Sequence, residues 1–150
     1  MTQTRPARQF HKYFTVEEAN KMLPLVRKIV ADIVRQNEIV SEFEHRLKDL
    51  APRRLEKTRD VYAEELAHRR EELEAEQAKL SAFADELARL GVELKGPDGL
   101  CDFPAWIDGR EAYLCWRLGE PEVSHWHELN SGFAGRKPIA STSGTVSSSK

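Results

Sequence analysis

The sequence predicts an α+β fold: a long antiparallel helical hairpin, coiled-coil-like, followed by a small antiparallel β meander of three to four strands. Three observations lead there. Apolar residues recur alternately four and three apart through two long stretches, the spacing of a heptad seam. Only Pro52-Arg53-Arg54 interrupts the two stretches, and helices joined by so short a link lie antiparallel. After Gly91 the period falls to two, and Asp108-Gly109 stands between two alternating runs, the pattern of a two-residue type I′ hairpin.

The first helix starts after Thr15, whose hydroxyl can accept from the amide three residues on while Glu18 returns the bond. Pro24 removes an amide donor and crowds the turn before it, so a short entry helix and a break are expected there. The seam then runs Met22, Val26, Ile29, Ile33, Gln36, Val40, Phe43, Leu47 and Leu50, with Gln36 its polar exception. Leu23, Leu25, Val30, Val34 and Ile39 widen the apolar arc in the first half of this helix, which therefore needs a further cover. The second helix carries Leu55, Tyr62, Leu66, Leu73, Leu80, Phe83, Leu87 and Leu90, with Arg59, Arg69 and Glu76 at the remaining seam positions. It ends at Gly91 beside the start of the first, where the β module can dock and supply that cover.

In the module, Ile107 opposite Arg110 sets Asp102 against Cys115 and Cys101 against Trp116. Cys101, Phe103, Ala105 and Ile107 then share a core face with Ala112, Leu114, Trp116 and Leu118. Asp102, Trp106, Glu111, Tyr113, Cys115 and Arg117 share the other, which keeps the two cysteines apart and rules out a disulfide between them. Gly119-Glu120-Pro121 turns into a third strand over Val123 to Leu129, and Val92 to Lys95 can add a short edge strand.

The organisation follows: a single domain over residues 13–139, with the hairpin at about 16–91 and the β module at about 92–139, between polar tails at 1–12 and 140–150 expected to be disordered. A 40% hydrophobic fraction in 150 residues suffices for one core. The 23 basic against 25 acidic side chains, net −2, create no field that would draw nucleic acid or an anionic membrane. Neither a membrane-spanning apolar run nor a signal-peptide core is present, and two cysteines fit a reducing compartment, so the expected location is cytoplasmic.

FTVEEANKMLPLV at Phe14 to Val26, GLCDFPAWIDGREAYLCWRLGE from Gly99 and WHELNSGFAGRKPI ending at Ile139 together resemble the bacterial family filed as domain of unknown function 2203. The resemblance covers about residues 13–139. It carries no established activity with it.

Several residue sets bear on chemistry. Glu42 with His45 and Glu65 with His68 have the i, i+3 spacing of di-iron bundle ligands, but the heptad register turns both pairs to solvent. His125-Trp126-His127-Glu128 places two imidazoles on one face of a strand, at a separation that suits a metal. A connection of two or four residues sets Trp126 opposite Cys115 and turns both histidines to the apolar side. An odd-length one instead brings His125 and His127 to Cys115, Tyr113 and Asp102. Only that register assembles a metal set from Cys115, His125, His127 and Asp102 or Glu128, for zinc or another divalent transition metal, in a pocket between the sheet and the start of the first helix. Arg136 and Lys137, after the glycines at 132 and 135, could hold an anion, although Pro138 follows where a phosphate loop would lead into a helix.

The leading functional reading is a non-enzymatic interaction or scaffold protein. Its hairpin would self-associate into a homo-oligomer or grip a partner helix, because two helices alone leave apolar flanks that a four-helix arrangement would bury. The alternative reading is a metal-binding protein or metal-dependent enzyme with its site on the β module.

Overall fold

The computed structural model describes residues 10, 12–50, 58–139 and 146–147. The expected link at Pro52-Arg53-Arg54, the seam residue Leu55 and most of both expected tails lie outside them. Helix α1 spans Val16–Lys48 and α2 spans Arg59–Arg89. Gln36 meets Glu76 and Lys12 meets Gly91, so the two run antiparallel, each on the order of 45–50 Å long at about 1.5 Å per residue.

The capping box at the start of α1 is present: Thr15 Oγ1 accepts from the Glu18 amide at 3.0 Å, and Glu18 Oε1 accepts from the Thr15 amide at 3.0 Å. The expected break at Pro24 is absent, since α1 runs through it unbroken. Pro24 lies on the solvent side while Leu23 and Val26 on either side are buried, so packing holds the helix across a missing hydrogen bond that water can replace. Val26, Ile29, Ile33, Gln36, Val40 and Leu50 are buried as the seam requires, and Met22, Phe43 and Leu47 are half-buried. From the wider arc Leu23 and Val30 are buried, whereas Leu25 remains 51% exposed.

Strands β1 (Glu93–Gly96), β2 (Leu100–Ile107), β3 (Arg110–Arg117), β4 (His125–Glu128) and β5 (Lys137–Pro138) form an antiparallel sheet in that order, and β6 (Val146–Ser147) pairs with β2. Six strands exceed the three to four expected because two-residue pairings at Lys137 and Val146 extend the meander. The β2–β3 register is the expected one throughout, from Ile107↔Arg110 to Cys101↔Trp116. Asp108 at φ 51° and Gly109 at φ 79° make the type I′ turn, the geometry that gives Asp-Gly its value there.

One face of the sheet packs on the hairpin's open end. Phe103, Leu114 and Trp116, all fully buried, join Val26, Ile29, Val30 and Leu87 in one cluster. Asn20 fastens the junction, donating to the Val123 carbonyl at 3.3 Å and accepting from the Val123 amide at 2.7 Å. Gly99, at φ +94°, is where the β turn crosses α1: a β-carbon there would stand 3.1 Å from Val30 and 2.6 Å from Leu118. No helix among the described residues is long and apolar enough to cross a membrane.

Candidate metal centre

Strand β4 decides the second face of the sheet. It pairs with β3 as Cys115↔His125, Leu114↔Trp126 and Tyr113↔His127, which is the odd-length register. The residues alternate accordingly, and Cys115, His125 and His127 share the face of Asp102 and Tyr113. Trp126 joins the edge of the core instead.

Three of these side chains converge. Asp102, Cys115 and His127 are 2%, 0% and 2% exposed, and one ligand atom from each lies within 4.8 Å of the other two. His127 Nδ1 donates to the Glu128 carbonyl at 2.7 Å, which fixes the ring and aims Nε2 at Asp102 Oδ1, 3.0 Å away. Burial alone would drive the His127 pKa down. Its hydrogen bonds to Asp102, Cys115 and the Glu128 carbonyl, with the Asp102 charge, outweigh that and raise it to about 10. On the core face, burial pushes the Cys101 thiol up to about 12.

Two cations frame the cluster. Lys95 is the extra residue of a bulge in β1, where the register slips between Leu94 and Gly96. Its Nζ lies 3.1 Å from Glu93, 3.9 Å from Asp102 Oδ2 and 4.7 Å from the Tyr113 ring centre. Arg136 closes the other side, Nη1 donating to Cys115 Sγ at 3.7 Å while its guanidinium forks onto Glu120. That pairing offsets the cost of burial and holds the Glu120 carboxyl below the usual range. Phe133 underlies the fork, its ring 4.5 Å from Arg136 and 4.4 Å from Arg117.

The wall of this site is not the start of α1, as the sequence suggested. The hairpin covers the opposite face of the sheet, because Phe103, Leu114 and Trp116 claim it. Phe10, Tyr13 and the 3₁₀ turn Phe133–Gly135 close the polar face instead: Phe10 packs on Tyr113, Tyr113 packs on His127, and Tyr13 stacks on Trp106. Phe14 then crosses the edge of β2, donating its amide to the Pro104 carbonyl at 2.7 Å.

The other predicted residues fall outside the cluster. His125 stands on the same face, its Nδ1 3.1 Å from Ser124 Oγ. Glu128 contributes only its carbonyl, and its carboxylate reaches Arg110 at 3.4 Å and Lys137 at 3.8 Å on the far side. Arg136 and Lys137 are matched by Glu120 and Glu128. Both E-x-x-H pairs stay apart from the site, with His45 and His68 exposed on their helices. Sequence reasoning missed Glu93, Lys95 and Glu120, although apolar Val92 and Leu94 on either side of Glu93 in the expected edge strand turn Glu93 to the polar face, where it pairs across from Asp102.

The geometry does not suit a cysteine nucleophile. A triad uses one imidazole nitrogen towards the nucleophile and the other towards the orienting acid. Here Nδ1 is committed to a backbone carbonyl, and Asp102 lies at the Nε2 edge.

The sequence model of a family described as an uncharacterized conserved protein (DUF2203) matches residues 12–139. The chain belongs to that family. The match spans both helices and the sheet as far as Ile139, so the cluster lies within the family's domain. No curated protein and no solved structure matches the chain.

Proposed function

We propose that this protein binds a divalent transition metal, with zinc the natural occupant, through Asp102, Cys115 and His127. The carrying observation is the convergence of three buried donors of the carboxylate, thiol and imidazole types within 4.8 Å, on a ring whose Nδ1 is already anchored. Charge supports a divalent ion. With a thiol and an imidazolium, His127, Lys95 and Arg136 balance Asp102, Glu93 and Glu120. A divalent ion on a thiolate and a neutral imidazole leaves the same balance, two protons being exchanged for one ion. Free thiols fit a reducing cytoplasm, where we place the protein.

Metal analysis of protein purified without chelator or affinity metal tests this reading. Stoichiometric zinc is expected, lost in His127→Ala and Cys115→Ser. Absence of zinc, together with no uptake in a titration against a chromophoric chelator, overturns it.

One observation favours a second activity for the hairpin. Leu87 is the single buried residue among the described side chains of α2, whereas Tyr62, Leu66, Leu73, Leu80 and Phe83 are only half-covered by α1. A second copy of the chain pairing along this strip would complete a four-helix seam. Light scattering across a concentration series tests it, and a strict monomer removes it.

A further inference from the structure

The three donors leave one position of a tetrahedral site to fill, and what fills it decides between an open, catalytic ion and a closed, structural one. The three donors are themselves shut off from solvent. Cys115 is fully buried, and Asp102 and His127 nearly so. The clefts lined by Phe10 and Lys12, by Ser41 and Lys48, and by Glu111 and Ser131 include none of the three donors. The nearby side chains narrow the choice. Lys95 and Arg136 are cations, Glu93 holds Lys95 and the Tyr113 hydroxyl, and Glu120 holds Arg136 and the Arg117 amide.

Resting on the metal reading above, we propose that His125 is the fourth ligand, so that Asp102, Cys115, His125 and His127 form a closed site that fastens β4 to β2 and β3. His125 is the direct cross-strand partner of Cys115, and such pairs carry their β-carbons about 4.5–5.5 Å apart on one face. His127, two residues along and on the same face, is diagonal to the same cysteine. The His125 Nδ1 has a partner in Ser124 Oγ, while among the described residues no hydrogen bond engages Nε2. That is the division a ligating histidine needs: one nitrogen held, the other free for the metal. The ring is half-buried at the rim of the cluster, and as a ligand it would turn Nε2 towards Cys115. Closure of this kind makes the ion a staple of the sheet.

Cobalt(II) is the probe that separates the outcomes. In the full-length protein it should give a thiolate-to-cobalt charge-transfer band and the strong visible bands of a four-coordinate centre. His125→Ala and His125→Gln should keep the charge-transfer band, bind cobalt at least about tenfold more weakly and lose intensity in the visible bands as water enters. Circular dichroism confirms that each variant folds, and the half-buried position of His125 favours that. If both variants bind with unchanged affinity and spectrum, His125 is not a ligand and this inference fails while the metal reading stands. If the wild-type protein shows no charge-transfer band at any cobalt concentration, the metal reading itself fails.

Discussion

Both faces of the sheet are covered, yet by different chemistry. The face towards the hairpin buries Cys101, Phe103, Ala105, Ile107, Ala112, Leu114 and Trp116 against helix side chains, and its stability follows from apolar area removed from water. The opposite face buries Asp102, Tyr113, Cys115 and His127 beneath Phe10, Phe133 and Arg136. Each polar group there must be matched by a partner, because an unmatched one costs more than its hydrogen bond returns. The first face tolerates exchange among shapes of similar volume. The second is specific to its residues, which is why it can serve as a site.

The largest effect is expected on the apolar face. Trp116 is fully buried, and its Nε1 donates to the Glu120 carbonyl at 2.9 Å, so it also steadies the turn that carries the Arg136 partner. Trp116→Ala should cost about 3–5 kcal/mol in urea unfolding. A cost below about 1 kcal/mol would mean that the hairpin and sheet do not share one core.

A slightly smaller loss is expected on the polar face, and it should depend on pH. His127 in the folded protein titrates at about 10, above its ordinary 6.5, because Asp102, Cys115 and a carbonyl favour its proton more than burial opposes it. A raised folded pKa means that the ion pair's contribution is complete below pH 6.5 and is lost as pH climbs through 10. Unfolding of chelator-treated protein should therefore show stability falling over that window. Asp102→Ala, which leaves the buried imidazole without its carboxylate, should cost about 3 kcal/mol at pH 6 and flatten the profile. A wild-type profile flat between pH 6.5 and 10 would show that His127 carries no proton in the folded state.

How far the sequence discloses each face follows the same division. Alternation about Asp108-Gly109 and a heptad seam are local patterns, and from them the β2–β3 register, the core face and the hairpin all come out correctly. Pro24 failed because a local rule met tertiary packing: buried neighbours on each side carry the helix past a missing bond. The polar cluster was legible only as one of two registers. The parity of the connection around Gly119-Glu120-Pro121 selects between them, and residue identities there do not fix a loop's length. Arg136 and Lys95 were harder still, since one arrives from a 3₁₀ turn and the other through a bulge, and neither has a period to read.

The smallest effect concerns the polar residue in the hairpin seam, which brings the comparison between matched polar groups and apolar packing into the helices. Gln36 is 6% exposed, and its Nε2 donates to the Glu76 carbonyl at 2.9 Å and to Glu76 Oε1 at 2.8 Å. The bond to Gln36, then that to Lys79, lowers the Glu76 pKa. Leucine at position 36 would add apolar burial and lose those bonds, two changes of about 1 kcal/mol and opposite sign. Stability in Gln36→Leu should therefore move by less than about 1 kcal/mol. Alignment is another matter, because a polar seam residue fixes which turn of one helix faces which turn of the other, and a leucine is satisfied at several positions. Spin labels at exposed positions Glu38 and Glu74 should give one narrow distance distribution in the wild type and a broader one in Gln36→Leu. Equal widths would show that the β module, clamped through Asn20 and Val123, sets the helix register without help from the seam.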